Sequence, residues 1–143
     1  AELRINNGGV WVIEVAARSI GGLCGRTLKF GAGLSLEEII LRHALRLPQS
    51  RLDRETQASG VMMIPIPSGG VLASVGGQDA ARAIPDIEDV RITIAEGQPV
   101  VPLPEGDKYL GFIFAHAPDP ATVEAALRTA HSVLEIEIDP NGG

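Results

Sequence analysis

The chain has 143 residues, a formal net charge of −6 and a sequence pI near 5.0. This acidic balance argues against a nucleic-acid partner, because nucleic-acid surfaces need clustered cations that displace counterions from the phosphate backbone. The sequence shows no signal peptide and no apolar run of 18 residues, so we expect a soluble, cytoplasmic protein with no membrane partner. The single cysteine, Cys24, excludes an internal disulfide framework and a cysteine-based zinc site.

The first 16 residues predict a β-hairpin. Leu3 and Ile5 alternate with polar neighbours, and an apolar run extends from Val10 to Val15. The residues between them, Asn6 to Gly9, have strong turn chemistry, and Asn-Gly followed by Gly supplies the positive φ angles that a tight hairpin needs. The sequence opens on Ala1 directly in this strand pattern, which we interpret as a fragment cut from a longer polypeptide.

A glycine-rich stretch at residues 19–33 precedes one clear helix. Ser35 and Glu38 have the spacing of a capping box, and apolar residues from Leu36 to Leu47 follow helical periodicity. Pro48 is expected to end the helix. Residues 49–59 are polar and lack apolar periodicity, so they predict a linker between a first part at 1–48 and a second part at 60–143.

The second part predicts a small β-rich module. Strands are expected at 61–66, 71–75, 90–95, 110–117 and 134–138, and helices at 78–84 and after the Asp119-Pro120 N-terminal signal. The strand at 110–117 is continuously apolar and should be buried on both faces. The fold class is therefore α+β: a β-hairpin plus helices, followed by two helices packed on a mostly antiparallel sheet.

Two glutamates in the hairpin are the first candidate functional residues. If the strands pair through the Asn-Gly turn, residues whose numbers sum to about 16 face each other, which places Glu2 opposite Glu14. Like charges so placed repel unless a cation lies between them. Magnesium prefers carboxylate oxygens and bridges to phosphates. Spacing alone leaves open the alternative of solvated carboxylates, with Glu14 and Arg18 forming a structural ion pair.

Residues that follow Glu14 suggest an anion contact. Arg18 lies four residues later and is always charged, so it suits a carboxylate or phosphate. Glycines after it, including Gly21 and Gly22, let the backbone approach a ligand closely and present free N–H groups.

Other polar and sulfur-bearing residues favour structural roles. Cys24 is interpreted as a small buried filler rather than a nucleophile, and His43 as a buried or interface histidine rather than a ligand. His116 and His131 are too far from each other and from His43 in sequence to form a recognisable metal set. Met62 and Met63 fit a strand core, and the charged loop at 105–108 is expected to be solvated.

These residues carry a resemblance to a known superfamily. Glu2, then Glu14 and Arg18, then Gly21-Gly22 resemble the closing hairpin of the ATP-grasp domain, which has a glutamate on one strand and a Glu-x-Asn-x-Arg signature on the next. The segments VMMIPIP at 61–67, PLPEGD at 102–107 and YLGFIFA at 109–115 are similar to the C-terminal domain of L-amino-acid ligases. Such proteins are often labelled biotin-carboxylase-like or carbamoyl-phosphate-synthase-large-chain-like.

The resemblance implies a role for each site residue. Glu2 and Glu14 would be ligands of the magnesium held by ATP, Arg18 a catalytic contact to the transferring group, and Gly21 and Gly22 part of the cofactor- and substrate-binding turn. Ala16 stands at the Asn position of the signature, which removes one expected metal ligand. The implied reaction is phosphorylation of a carboxylate by ATP, followed by attack of an amine on the acylphosphate.

The resemblance also implies the partners. Residues 1–48 would end an ATP-grasp domain, 49–59 would be a linker, and 60–143 an L-amino-acid-ligase-type C-terminal domain. The expected partners are an upstream ATP-grasp domain of the same polypeptide and a small carboxylate or amino-acid substrate, with the chain inactive by itself. Two alternatives stay open: a structural or dimerisation module that forms homodimers, and a stand-alone amino-acid-binding regulatory domain.

Overall fold

The computed structural model describes residues 1–21, 23–30, 33–48, 52–53 and 55–140. Their elements confirm the α+β prediction, and no helix among these residues is long and apolar enough to cross a membrane. In chain order the elements are β1 Glu2–Asn6, β2 Gly9–Glu14, a 3₁₀ segment Cys24–Thr27, β3 Lys29–Phe30, β4 Leu34–Ser35, α1 Leu36–Ala44, β5 Ala58–Ile64, β6 Gly70–Gly76, α2 Gln78–Arg82, β7 Ile87–Ile92, β8 Pro99–Val100, β9 Gly111–Ala117, α3 Pro120–Ser132 and β10 Glu135–Asp139.

The hairpin of β1 and β2 turns through residues 7 and 8. Its turn is held by the Asn6 side chain, whose Oδ1 accepts a hydrogen bond from the Gly8 N–H at 2.8 Å. In this turn the positive φ lies at Gly9, with a value of 129°, and not at Asn7 or Gly8. The expected positive φ therefore occurs at the glycine that follows Asn-Gly and not within Asn-Gly itself, where the Asn6 side chain accepts the Gly8 N–H.

Helix α1 begins as predicted and ends earlier. Ser35 Oγ accepts a hydrogen bond from the Glu38 N–H at 3.1 Å, which confirms the N-terminal cap. The helix ends at Ala44 because Arg46 adopts a left-handed conformation with φ 54°, and Leu47 N–H then bonds back to the Arg42 carbonyl. No residue of α1 is buried, so His43 is not a buried histidine within this chain, and its place in an interface stays a prediction.

The second part contains two antiparallel three-stranded sheets rather than one. Their strand orders are β5-β9-β7 and β10-β6-β8, so the two strands predicted at 61–66 and 71–75 lie in different sheets. Buried apolar side chains from both sheets, α2 and α3 form one continuous core. The last two residues of the predicted linker belong to the module, since β5 begins at Ala58, whereas the Glu55 N–H bonds to the Lys29 carbonyl in the first part. The division at 1–48, 49–59 and 60–143 stays a prediction.

Strand β9 is buried on both faces, as its apolar sequence predicted. Ile113 and Ala115 belong to the core that α3 covers. Phe112 and Phe114 alternate with them and point to the opposite face, where their ring centroids lie 6.3 Å apart. The second face of the sheet, which carries Phe112 and Phe114, therefore also has to be shielded from water by other residues.

Helix α3 begins at the predicted cap. Asp119 accepts hydrogen bonds from the Thr122 N–H at 3.0 Å and the Thr122 hydroxyl at 2.8 Å. These bonds, the backbone one first, hold the pKa of the Asp119 carboxyl below its ordinary value. A depressed pKa in the folded state means that this stabilisation is present above the unfolded-state pKa and is lost as the pH falls through the folded-state pKa.

Substitution of Gly111 tests the close packing of β9 on β7. An added Cβ would collide with the Arg91 carbonyl oxygen and lie 3.0 Å from Ile92 Cα, and both are backbone atoms of β7. We expect Gly111→Ala to lower the free energy of unfolding by about 1–3 kcal/mol in urea denaturation. Gly69→Ala is the matched control, since the nearest atoms to its added Cβ lie at 3.8 Å. Equal losses in the two variants would contradict this packing.

Candidate functional site

The open end of the hairpin, the segment after β2 and helix α1 enclose a cavity of about 620 Å³. Four of the five predicted site residues line it: Glu2, Glu14, Arg18 and Gly21. The fifth, Gly22, lies outside the described residues. The cavity also has an apolar part, formed by Ile20, Leu28, Leu36 and Ile40. The structure thus brings the described candidates together, while their chemical roles stay predictions.

A β-bulge places the two glutamates opposite each other. Glu2 pairs with Glu14, but the register shifts before Leu3, which pairs with Val12. In the register of the remaining pairs, Glu2 would face Ile13 instead. The prediction that the numbers of paired residues sum to about 16 therefore holds for Glu2 and Glu14, whereas the other pairs of the hairpin sum to 15. Bulges commonly re-aim a side chain next to a functional site, and here the bulge juxtaposes two carboxylates.

Arg18 carries the cationic charge of the cavity. Its guanidinium Nη1 donates to the Ser19 carbonyl oxygen at 3.3 Å, and its side chain is exposed. Within the described residues Arg18 forms no ion pair, so the structural Glu14–Arg18 pair considered from spacing is not formed. Gly21 lies close by, since an added Cβ there would be 3.7 Å from Arg18 Nη1. The guanidinium and the glycine turn therefore face one site.

The side chains that line the cavity provide only some of the oxygen ligands that a divalent cation needs. Two facing carboxylates match the oxygen preference of magnesium. Ala16 lines the same cavity at the signature position where Asn is expected, and it offers no side-chain oxygen. Across the described ranges, no group of three or more His, Cys, Asp or Glu side chains is placed to hold a metal ion. The described residues thus offer two carboxylates at this place, and their role as metal ligands stays a prediction.

The remaining candidates lie away from this cavity. Cys24 is half-buried in the 3₁₀ segment, and His131 is half-buried late in α3. His116 is exposed and borders a second cavity of about 220 Å³ between β9 and the segment around Lys29. One residue that the sequence reasoning missed is Arg26, whose contacts lie 63 residues further along the chain at Asp89. No local pattern signals such a contact.

Two solved structures share this fold. The first, an L-amino acid ligase from Bacillus licheniformis, has a TM-score of 0.78 and 24% identity, over 96% of this chain and 35% of that chain. The second, an N5-carboxyaminoimidazole ribonucleotide synthetase from Thermotoga maritima, has a TM-score of 0.65 and 15% identity, over 96% of this chain and 36% of that chain. This chain therefore spans about a third of either structure. The likeness extends over the hairpin and the two-sheet module, so this chain shares the fold of these parts with both structures.

A comparison of the sequence with models of protein families identifies the family of this chain. A family model described as L-amino acid ligase C-terminal domain 2 matches residues 62–139, which is more than half of the chain. The chain belongs to that family, and the resemblance stated from its sequence motifs is confirmed. The matched region begins inside β5 and ends with β10, so it covers the two-sheet module and not the cavity. A comparison with curated proteins finds no match.

A charge-removing substitution tests the facing carboxylates. Without a bound cation, Glu14→Gln should relieve the repulsion from Glu2 and slow amide hydrogen exchange in the β1–β2 ladder. Glu96→Gln is the control, because Glu96 is an exposed carboxylate outside the cavity lining. Exchange that is unchanged in Glu14→Gln would show that the two carboxylates do not interact.

Proposed function

We propose that this chain forms the metal-side and substrate-side wall of the active site of an ATP-dependent carboxylate–amine ligase. The observation that carries the proposal is one cavity that joins two facing carboxylates, a guanidinium without an ion pair in the part of the chain that the structure describes, and a glycine turn. Each of these groups suits a different part of a phosphoryl-transfer reaction: the carboxylates suit magnesium, and the guanidinium suits an anion. Membership of the L-amino acid ligase C-terminal domain 2 family supports the reaction class.

Glu2 and Glu14 are the residues that would hold magnesium. Magnesium bound with ATP neutralises the charge that gathers on the transferring phosphoryl group. Because magnesium is usually held by one or two carboxylates together with phosphates and water, two protein ligands are enough on this side of the site. The absence of a side-chain oxygen at Ala16 is then made up by phosphate or water oxygens.

Arg18 is proposed to bind the anionic reactant. Its planar guanidinium can donate two parallel hydrogen bonds to a carboxylate or phosphoryl group, and it stays charged throughout the reaction. Gly21, and Gly22 by resemblance, would let the backbone approach that reactant, because neither carries a side chain. Together these groups would orient the carboxylate and stabilise the negative charge of the acylphosphate step.

The partner is proposed to be an upstream ATP-grasp domain of the same polypeptide. Every residue of β1 and β2 is exposed, including Ile5 at 75%, Val12 at 64% and Trp11 at 56%. Helix α1 also exposes Leu41 at 61%. Large exposed apolar patches are typical of surfaces that pack on another domain. The groups that clamp the nucleotide would come from that domain, so we expect the isolated chain to be inactive.

The same apolar surface favours a second candidate function, a dimerisation module. In that case two copies of this chain would bury their hairpins against each other, and the cavity would have no catalytic role. Sedimentation of the isolated chain and of a longer ligase chain that contains it distinguishes the two, because only the dimerisation module requires hairpin-mediated dimers in both.

Removal of the guanidinium tests the catalytic proposal. In a ligase chain that joins this sequence to its ATP-grasp domain, Arg18→Ala should lower kcat/KM for substrate-dependent phosphate release by about 100-fold or more, because a charged contact to the transferring group is lost. Arg4→Ala is the matched control, since Arg4 lies on the same hairpin but does not line the cavity. Near-normal turnover in both Arg18→Ala and Glu14→Gln would overturn the proposal.

A further inference from the structure

The 3₁₀ segment contacts all three strands of the β5-β9-β7 sheet. The Thr27 carbonyl oxygen accepts a hydrogen bond from the Ser59 hydroxyl on β5 at 2.8 Å. Arg26 Nη1 donates to Asp89 Oδ2 on β7 at 3.2 Å. The Arg26 guanidinium carbon also lies 4.3 Å from the ring centroid of Phe114 on β9. This short segment therefore covers part of the second face of the sheet, which α3 leaves uncovered.

The position of Arg26 depends on the planarity of its guanidinium. Asp89 and Phe114 face each other across β7 and β9, so one side chain can reach both. A guanidinium can lie flat over an aromatic ring while its in-plane N–H groups donate to a carboxylate, whereas an ammonium cannot do both equally well. Phe114 is 1% exposed and the Arg26 and Asp89 side chains are 39% and 30% exposed. The contact is therefore partly shielded from solvent.

The same segment is bonded to the candidate site. Cys24 N–H donates to the Gly21 carbonyl oxygen at 3.2 Å, and Gly21 lines the cavity beside Arg18. Gly25 is buried against α1, since an added Cβ would lie 2.9 Å from Glu37 Oε1 and 3.9 Å from Ile20 Cγ2. The hydrogen bond between Cys24 and Gly21 thus connects the cavity lining to the segment that contacts the sheet.

We propose that Arg26 is a positioning residue, through which the two-sheet module fixes the Arg18–Gly21 turn of the candidate site. This inference rests on the proposed function and adds a role for the family module, which lies outside the cavity itself. Arg26 is not among the residues that line the cavity, and it acts through the 3₁₀ segment. Loss of its contact with Asp89 and Phe114 removes the attachment of that segment to β7 and β9 and leaves the Thr27–Ser59 hydrogen bond to β5, so the turn that the segment holds is less firmly oriented.

Amide hydrogen exchange in this chain tests the contact. Arg26→Ala should accelerate exchange at least tenfold at the Cys24, Arg26 and Leu28 amides, which donate the hydrogen bonds of the segment. Amides in the β9 ladder should change much less. Arg128→Ala is the matched control, because Arg128 forms an exposed ion pair with Glu124 on α3. Exchange in the segment that is equal in Arg26→Ala and in the native chain would overturn the inference.

Kinetics in the longer ligase chain test the positioning role. Arg26→Ala should raise KM for the carboxylate substrate at least tenfold with KM for ATP within twofold, and Arg26→Lys should recover part of the loss through its retained charge. An unchanged carboxylate KM beside an inactive Arg18→Ala would overturn the inference and leave the proposed function standing. Full activity in both Arg18→Ala and Glu14→Gln would instead overturn the proposed function. If Arg26→Ala does not fold, the same measurements are made on Arg26→Lys. The expected changes in the amide exchange rate and in the KM for the carboxylate are then at least threefold rather than tenfold.

Discussion

Strand β9 has to bury both of its faces, and much of this structure follows from that constraint. Ile113 and Ala115 enter the core beneath α3, which covers one face. Phe112 and Phe114 point the other way, and burial of an aromatic ring contributes about 1.5–3 kcal/mol only where something excludes water from it. The 3₁₀ segment provides part of that cover through Arg26. A packing requirement of the module therefore brings the segment after the hairpin against the sheet.

The site lies at the other end of that same segment. The cavity forms where the open end of the hairpin meets the turn around Arg18 and Gly21. Its carboxylates face each other because one bulge in β1–β2 shifts the register at Glu2. Like charges directly across a ladder destabilise the pair, and this repulsion is the physical reason for the proposal that a cation binds between Glu2 and Glu14. The exposed apolar side chains of the hairpin are likewise the basis for the proposal that it packs on another domain.

Local signals predicted the features that depend on neighbours in sequence. The caps at Ser35 and Asp119 follow from side-chain oxygens that reach N–H groups three residues on, and the structure has both bonds. The Glu2–Glu14 pairing was predicted from a register in which paired numbers sum to about 16, but it arises from a bulge, because the turn itself sets a register in which Glu2 would face Ile13. The end of α1 was not predictable, since it depends on a left-handed conformation at Arg46 that this residue type rarely adopts.

Long-range contacts explain the other differences. The alternation of apolar residues predicts strands but does not say which strands pair, so the division into two sheets needed the structure. In the sequence Arg26 is one charged residue in a glycine-rich stretch. Its partner Asp89 lies 63 residues away, so no local pattern indicates the contact. The residues of the candidate site were proposed from sequence because they cluster within the first 22 positions. Arg26 was missed because its partners Asp89 and Phe114 lie far along the chain.

The most direct test of the facing carboxylates as a cation site is a manganese titration of the isotopically labelled chain, followed by NMR. Manganese replaces magnesium at oxygen sites and broadens the signals of nearby amides. We expect substoichiometric manganese to broaden the Glu2, Glu14 and Ala16 amides first, and excess magnesium to reverse the effect. Glu14→Gln should abolish the selectivity. Broadening that is uniform along the chain, or that begins at carboxylates outside the hairpin, would contradict the assignment of this cavity as the metal side of a ligase site.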